Sequence, residues 1–498
     1  MDLVICRSKP YNPSPAASGM VTSAASLFEP RRLVNLEQNV TPPPVPARLR
    51  LAPHLLPRRV LQAIFVSATI TLSALLIVVL FEPGLSYEIH APVPAAAAPA
   101  FIETLAGALD QSALVPGRAD LLADGAHFYP AELAQIAGAR ASIHLEAFIF
   151  HQTPIGQRFL DALTERARAG IKVRVVVDAI GSLPTADRFF DPLRAAGAQV
   201  VWYQPFRWYT LKRWNNRTHR ELLIVDGNQA WIGGAGIGSA WDSGTRRDDI
   251  ALPPWRDLMV HVDGATAHAL QAVFAQSWLE ASGEILVGSA MKPLAPTALP
   301  IPSGSTELAS TYTAERAALV IGSAPTGGRA TRARTMFALL VAAARQNIWI
   351  DSPYFVPDLA MRRALVAAAT RGVRVTAVVP GQYNNHTIAR LASRRHYGEL
   401  LQGGVHLLEY QPGMIHTKLV QVDDVWSAVG STNFDNRSFG LNNEVNLLLR
   451  DAAFAAQFEP TKADYRAHSR EISFAEWQQR SAAERALAWA GSILERQE

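Results

Sequence analysis

The chain repeats itself, and the repeat limits its fold more than any other feature. Ala141 to Phe150 (ASIHLEAFIF) is echoed by Gln346 to Phe355 (QNIWIDSPYF). Gly170 to Val177 (GIKVRVVV) is echoed by Gly372 to Val379 (GVRVTAVV), and Gly197 to Pro205 (GAQVVWYQP) by Gly404 to Pro412 (GVHLLEYQP). The offsets are 205, 202 and 207 residues, in one order. Each unit alternates short β-branched strands with Ala- and Arg-rich helical stretches, such as Arg158 to Ala169 and Met361 to Arg371. That alternation predicts two α/β lobes with mostly parallel sheets around a shared central site. The lobes are expected over residues 100–285 and 316–498, joined by a Pro/Ser-rich linker at 286–315.

Ahead of the repeat, residues 1–59 are rich in Pro, Ser and Ala and predict a flexible tail. Residues 60–81, VLQAIFVSATITLSALLIVVLF, carry no charge and are long enough to span a bilayer as one helix. Arg48, Arg50, Arg58 and Arg59 precede this stretch, and no Lys or Arg follows it until Arg118. The positive-inside rule then puts the amino terminus in the cytoplasm and the body outside it, periplasmic in a bacterial cell. The net charge of +4 is misleading, because the first 59 residues hold +5 and leave −1 for the rest. The body therefore lacks the cationic stripe of a duplex-binding surface, and nucleic acid is not the expected partner. A single cysteine, Cys6, excludes an intrachain disulfide framework and multi-cysteine zinc sites.

The repeat converges on two segments, His219-Arg220-Glu221-Leu222-Leu223-Ile224-Val225-Asp226 and His416-Thr417-Lys418-Leu419-Val420-Gln421-Val422-Asp423. Both have a strand pattern, so His219 and Glu221 share a face, as do His416 and Lys418. Each is followed by a glycine-containing turn, Gly233-Gly234-Ala235-Gly236 and Gly430-Ser431-Thr432-Asn433. Two imidazoles facing each other from opposite halves can divide a displacement at phosphorus. One attacks and becomes a phosphohistidine; the other protonates the leaving alkoxide and later deprotonates the acceptor. Asp226 and Asp423 can fix the tautomer of the nearby His, while Lys418 and Asn433 can bind nonbridging phosphate oxygens. A fixed cation supplies the charge, so neither metal nor cofactor is called for.

At this point the chain resembles the phospholipase D superfamily, whose signature His-x-Lys-x4-Asp occurs twice. The second copy matches fully, with Gly430-Ser431-x-Asn433 and the later Asn442-Asn443-Glu444. The apolar amino-terminal segment, the Asn216-Arg217-Thr218-His219 entry and the Gly430-Ser431-Thr432-Asn433-Phe434-Asp435 turn are similar to bacterial cardiolipin synthase-type members. The resemblance implies a duplicated phospholipase D fold and a membrane phosphatidyltransferase or phospholipase acting on phosphatidylglycerol or a similar lipid. It also implies His219 as nucleophile, His416 as acid/base, and Ser431 and Glu444 beside the substrate; Trp255-Arg256-Asp257 and Glu146 look like family positions too. The intact Lys beside His416 leaves the reverse order of the histidines open.

The first copy departs from the signature. Glu221 stands where the family has Lys, and Gly236 where the second half has Asn433. Either Glu221 is paired by Arg220, Arg217 or Arg247, or stays protonated, and assists an acceptor hydroxyl, or the first half is weakened and the protein is a binder. A nuclease or phosphodiesterase of the same fold is the remaining alternative. The aromatic–basic stretch Phe206 to Asn215 (FRWYTLKRWN) suits a lipid interface, stacking on single-stranded nucleic acid, or a packed excursion.

Overall fold

The structure is a computed structural model that describes residues 58–80, 85–207, 215–247, 250–288, 291, 315–326 and 330–493. The expected tail up to residue 57 and most of the expected linker lie outside the described residues, as do Trp208 and Trp214. Helix α1 (Arg58–Leu80) covers most of the apolar stretch. Among the described residues no helix is long and apolar enough to cross a membrane. The side chains of α1 from Leu75 onward, and Phe81, are outside that description, so the expected span is only partly covered.

The first lobe is a seven-stranded sheet. Its strands are β1 (Ala119–Ala123), β2 (Ser142–Ala147), β3 (Lys172–Asp178), β4 (Gln199–Tyr203), β5 (Leu222–Val225), β6 (Gln229–Gly233) and β7 (Leu258–Asp263), in the order β1-β7-β6-β5-β2-β3-β4. The second lobe has β8 (Ala317–Ser323), β9 (Asn347–Asp351), β10 (Arg374–Pro380), β11 (His406–Tyr410), β12 (Leu419–Val422), β13 (Trp426–Gly430), β14 (Glu444–Arg450) and β15 (Ser469–Glu471). Their order, β8-β14-β13-β12-β9-β10-β11-β15, repeats that of the first lobe and adds one edge strand.

The sheets are mixed, which corrects the expectation of mostly parallel ones. Only β2–β3, β3–β4, β9–β10 and β10–β11 pair in parallel. These are the strands joined by helical crossovers such as α3 (Pro154–Arg168) and α6 (Leu359–Thr370). The motif strands instead turn back through tight hairpins, β5 to β6 and β12 to β13, and a hairpin can only make an antiparallel pair.

Alternation along the motif strands builds three apolar layers. Leu223 and Val225 face outward onto α3 and onto α2 (Gly125–Ala137), with Phe128, Phe159 and Leu163. Leu222 and Ile224 face inward, and join Val260, Phe274, Leu419, Val445 and Leu447 in a layer shared by both lobes. Val420 and Val422 close the outer layer of the second lobe with Ile350, Met336 and Leu365. Each buried Leu or Ile contributes about 1.5–3 kcal/mol, so apolar burial fixes one sheet against the other. Arg220, fully buried, adds hydrogen bonds across the joint to the carbonyls of Ser323 and Glu444, and one within its own lobe to the carbonyl of Val273.

Candidate functional site

The segments that carry the histidines run just ahead of β5 and β12, and each is bridged to the other lobe. Thr218 pairs in parallel with Asn443, and Ile415 with Arg256. The backbone N–H of His219 donates to Asn443 O at 2.9 Å, and that of His416 to Arg256 O at 2.7 Å. Asp178 reinforces the first segment by accepting from Thr218 N at 3.1 Å and pairing with Arg217 at 3.4 Å, while the Thr218 hydroxyl donates to Glu146. Burial pushes the Glu146 carboxyl up to about 7.

These bridges deliver an acid to each histidine from the opposite lobe. His219 Nδ1 lies 3.2 Å from Glu444 Oε2, and His416 Nδ1 lies 2.7 Å from Asp257 Oδ2. Glu444 opens β14 and Asp257 immediately precedes β7, equivalent places in the repeat. Ser431 and Asn442 donate to Glu444, and Trp241 Nε1 donates to Asp257 at 3.0 Å. With Nδ1–H given to Asp257, His416 keeps its lone pair on Nε2. Burial first, then the Lys418 charge, pulls the His416 pKa down to about 4. The His219 charge adds to that depression, so the two imidazoles lie within electrostatic reach. Aromatic rings wall both: Phe148 meets His219 at 5.0 Å, while Trp241 and Trp255 each meet His416 at 5.2 Å.

Lys418 is buried, and its Nζ donates to His416 O at 2.7 Å. Burial pulls its pKa down to about 8, against the raising fields of Asp257, Glu444 and Glu221. A Cβ on Gly234 would come within 2.7 Å of Lys418 Cδ, so the bare backbone there leaves room for the lysine to reach into the first lobe. Glu221 is buried beside it, and burial pushes its carboxyl well above the usual range. Neither Arg220 nor Arg217 pairs with it: Arg220 is committed to the lobe joint and Arg217 to Asp178, and the Arg247 side chain lies outside the described residues. Glu221 Oε1 accepts from Ile149 N at 3.3 Å and would stand 3.0 Å from a Cβ on Gly236. The two departures of the first copy lie side by side, and a side chain at 236 would meet Ile149 Cβ at 2.7 Å as well as crowd the acid at 221.

Asp226 and Asp423 do not meet the histidines. Both adopt left-handed backbone, φ 54° and 52°, in the hairpin turns. Their carboxylates accept from the amides of Arg140, Ala141 and Ser142, and of Arg345, Gln346 and Asn347. Seven residues of mostly extended chain allow a separation from the histidines of up to about 23 Å. Ser431 is occupied with Glu444, whereas Asn433 is buried with Oδ1 lacking any hydrogen-bond partner. Trp241 and Tyr354 at the site received no role from the sequence, and Asp257, which resembled a family position, was not assigned to His416. Among the described residues no cluster of three His, Cys, Asp or Glu could hold a metal ion.

The duplicated lobes and crossed acid–histidine pairs define a class, and the comparisons agree with it. A family model described as "Cardiolipin synthase, PLD-like domain" matches residues 133–247 and 338–461. The chain is 35% identical to cardiolipin synthase A of Pseudomonas entomophila over 68% of its own length and 66% of that protein. It is 34% identical to cardiolipin synthase A of Pseudomonas putida, over 72% and 71% of the two chains. Identity to a probable cardiolipin synthase of Bacillus subtilis is 31%, over 67% and 62%. The chain thus spans about two thirds of the length of these relatives. A phosphatidylserine synthase of Haemophilus influenzae, 15% identical, shares the fold at a TM-score of 0.60 over 80% of this chain and 100% of that one. The protein belongs to the phospholipase D-like enzyme family, among its cardiolipin synthase-type members.

Proposed function

We propose that the protein is a membrane-anchored phosphatidyltransferase that makes cardiolipin from phosphatidylglycerol. The observation that carries this reading is the pair of motif histidines, each backed by a buried acid from the opposite lobe. His219 Nε2 attacks the phosphorus of one phosphatidylglycerol, and His416, in its protonated imidazolium form, gives its Nε2 proton to the departing glycerol oxygen. The P–O bond breaks and a phosphatidyl-histidine remains. The hydroxyl of a second phosphatidylglycerol then attacks, His416 takes its proton, and the P–N bond breaks. Water in place of the second lipid gives phosphatidate instead. Lys418 and Asn433 hold the nonbridging oxygens, and Glu221, whose burial favours its neutral form, leaves that charge to the lysine.

A second reading exchanges the histidines. The depressed pKa of His416 favours it, since a nucleophile needs its lone pair free at rest. Trapping the intermediate with labelled phosphatidylglycerol and mapping the modified peptide distinguishes the two: label at 219 supports the first reading, label at 416 the second. No label, with full turnover retained in both His219→Ala and His416→Ala, overturns both.

The anchor is the stretch at 60–81, with the arginines before it holding the amino terminus in the cytoplasm. The apolar Phe65, Ile70 and Leu72 of α1 are exposed, as a lipid-facing helix requires. The body then stands on the far side of the cell membrane. A carboxyl-terminal reporter active only in the cytoplasm would refute that orientation.

A further inference from the structure

A groove of about 520 Å³ lies in the second lobe, between helix α5 (Arg332–Ala343), helix α6 and the strand-like strap Leu85 to Ile89. None of the side chains gathered around His219 and His416 lines it. Its floor is small and apolar, formed by Ala338, Val341, Ala342, Ala364 and Ala367. Four arginines line it, and two of them are spent within the protein. Arg334 pairs with Asp358 and stacks over Tyr87 at 5.5 Å, and Arg362 Nε donates to Glu399 at 2.9 Å. Arg363 and Arg371 are exposed. Arg363 has no hydrogen bond or ion pair among the described residues. Arg371 gives one donor to Val341 O at 3.4 Å and keeps others for solvent. Against these two cations the strap offers one exposed carboxylate, Glu88.

An apolar floor with a cationic rim fits an anionic amphiphile: a phosphate group at the arginines and a hydrocarbon chain along the alanines. Chain length indicates the source. Leu85 follows the end of α1 at Leu80 by five residues, a reach of at most about 17 Å. With α1 in the bilayer, as proposed above and as this inference requires, the strap and its groove open at the membrane surface.

We infer that this groove is a second lipid site, separate from the reaction centre, which holds an anionic phospholipid by its phosphate at Arg363 and Arg371. It orients the lobe on the bilayer and favours anionic over zwitterionic lipid. The test uses the full-length protein in neutral-detergent mixed micelles with a photoactivatable phosphatidylglycerol, followed by peptide mapping. Labelling is expected in residues 85–89 and 359–371 as well as in the cleft. R363A/R371A should weaken the groove labelling roughly thirtyfold, at about tenfold or less per arginine. Its cleft labelling and its turnover of a short-chain, monomeric phosphatidylglycerol should stay unchanged. Glu88→Gln should strengthen groove labelling. Equal labelling by a phosphatidylcholine probe, labelling undiminished in R363A/R371A, or labelling confined to the cleft overturns the inference. Displacement of the probe by an equal concentration of inorganic phosphate overturns it in favour of a plain phosphate site. Failure of the catalytic reading would appear separately, as absent turnover with groove labelling intact.

Discussion

At the scale of single residues, two perturbed groups set the pH dependence. Lys418 is charged below about 8 and His416 neutral above about 4. On the reading in which His416 attacks, activity needs both and is expected to be level between those values and to fall on either side; on the reading in which His416 is the acid, it should instead climb as the pH falls towards 4. Lys418→Arg keeps its charge at higher pH and should move the upper limb upward; an unmoved limb assigns that limb to another group. Glu221 makes a counterintuitive case. Glu221→Gln should stay within about threefold of the parent, because burial already favours the neutral acid. Glu221→Lys, although it restores the family residue, sets a second ammonium beside buried Lys418 and should lower both melting temperature and rate; a gain in rate would show that the carboxylate is a defect. The histidines, Lys418 and the departure at 221 were legible in the sequence because motif spacing is local. Trp241 was not, and Asp257 was visible only as a family position, not as the partner of His416. Trp255-Arg256-Asp257 and Asn442-Asn443-Glu444 share no letters, and their equivalence rests on strand order alone.

At the scale of elements, the motif aspartates are turn residues. Each closes its hairpin in a left-handed conformation and ties down three amides at the start of the neighbouring strand. Asp226→Ala should therefore cost about 3 kcal/mol, roughly 1 per amide left without its acceptor, read as a lower denaturation midpoint. Asp226→Asn should recover part of it, since its amide oxygen still accepts. A large rate loss at unchanged stability would return this residue to the chemistry. The strand arithmetic was available beforehand, since seven extended residues separate Asp from His by far more than a hydrogen bond. The antiparallel pairs were equally visible in Asp226-Gly227-Asn228 between two apolar runs. The crossover signal of the preceding strands, strong and repeated, masked both.

At the scale of the whole molecule, the repeat gave the two lobes but not the order of their strands, and their mutual seating depends on which face of each strand is shared. Leu222 and Ile224 meet Leu419 and Val445, and Arg220 spans the joint. Arg220→Met should loosen that seating by about 3 kcal/mol or more, measured as faster proteolysis between the lobes. Residues 85–285 and 315–498, produced separately, should each be inert and regain activity when mixed; activity in either piece alone would mean that one histidine suffices. Because Glu444 serves His219 and Asp257 serves His416, the polypeptide is in effect a dimer whose subunits have been spliced end to end. Its specific activity should then be indifferent to dilution, whereas that of the mixed fragments should fall as they are diluted below their dissociation constant.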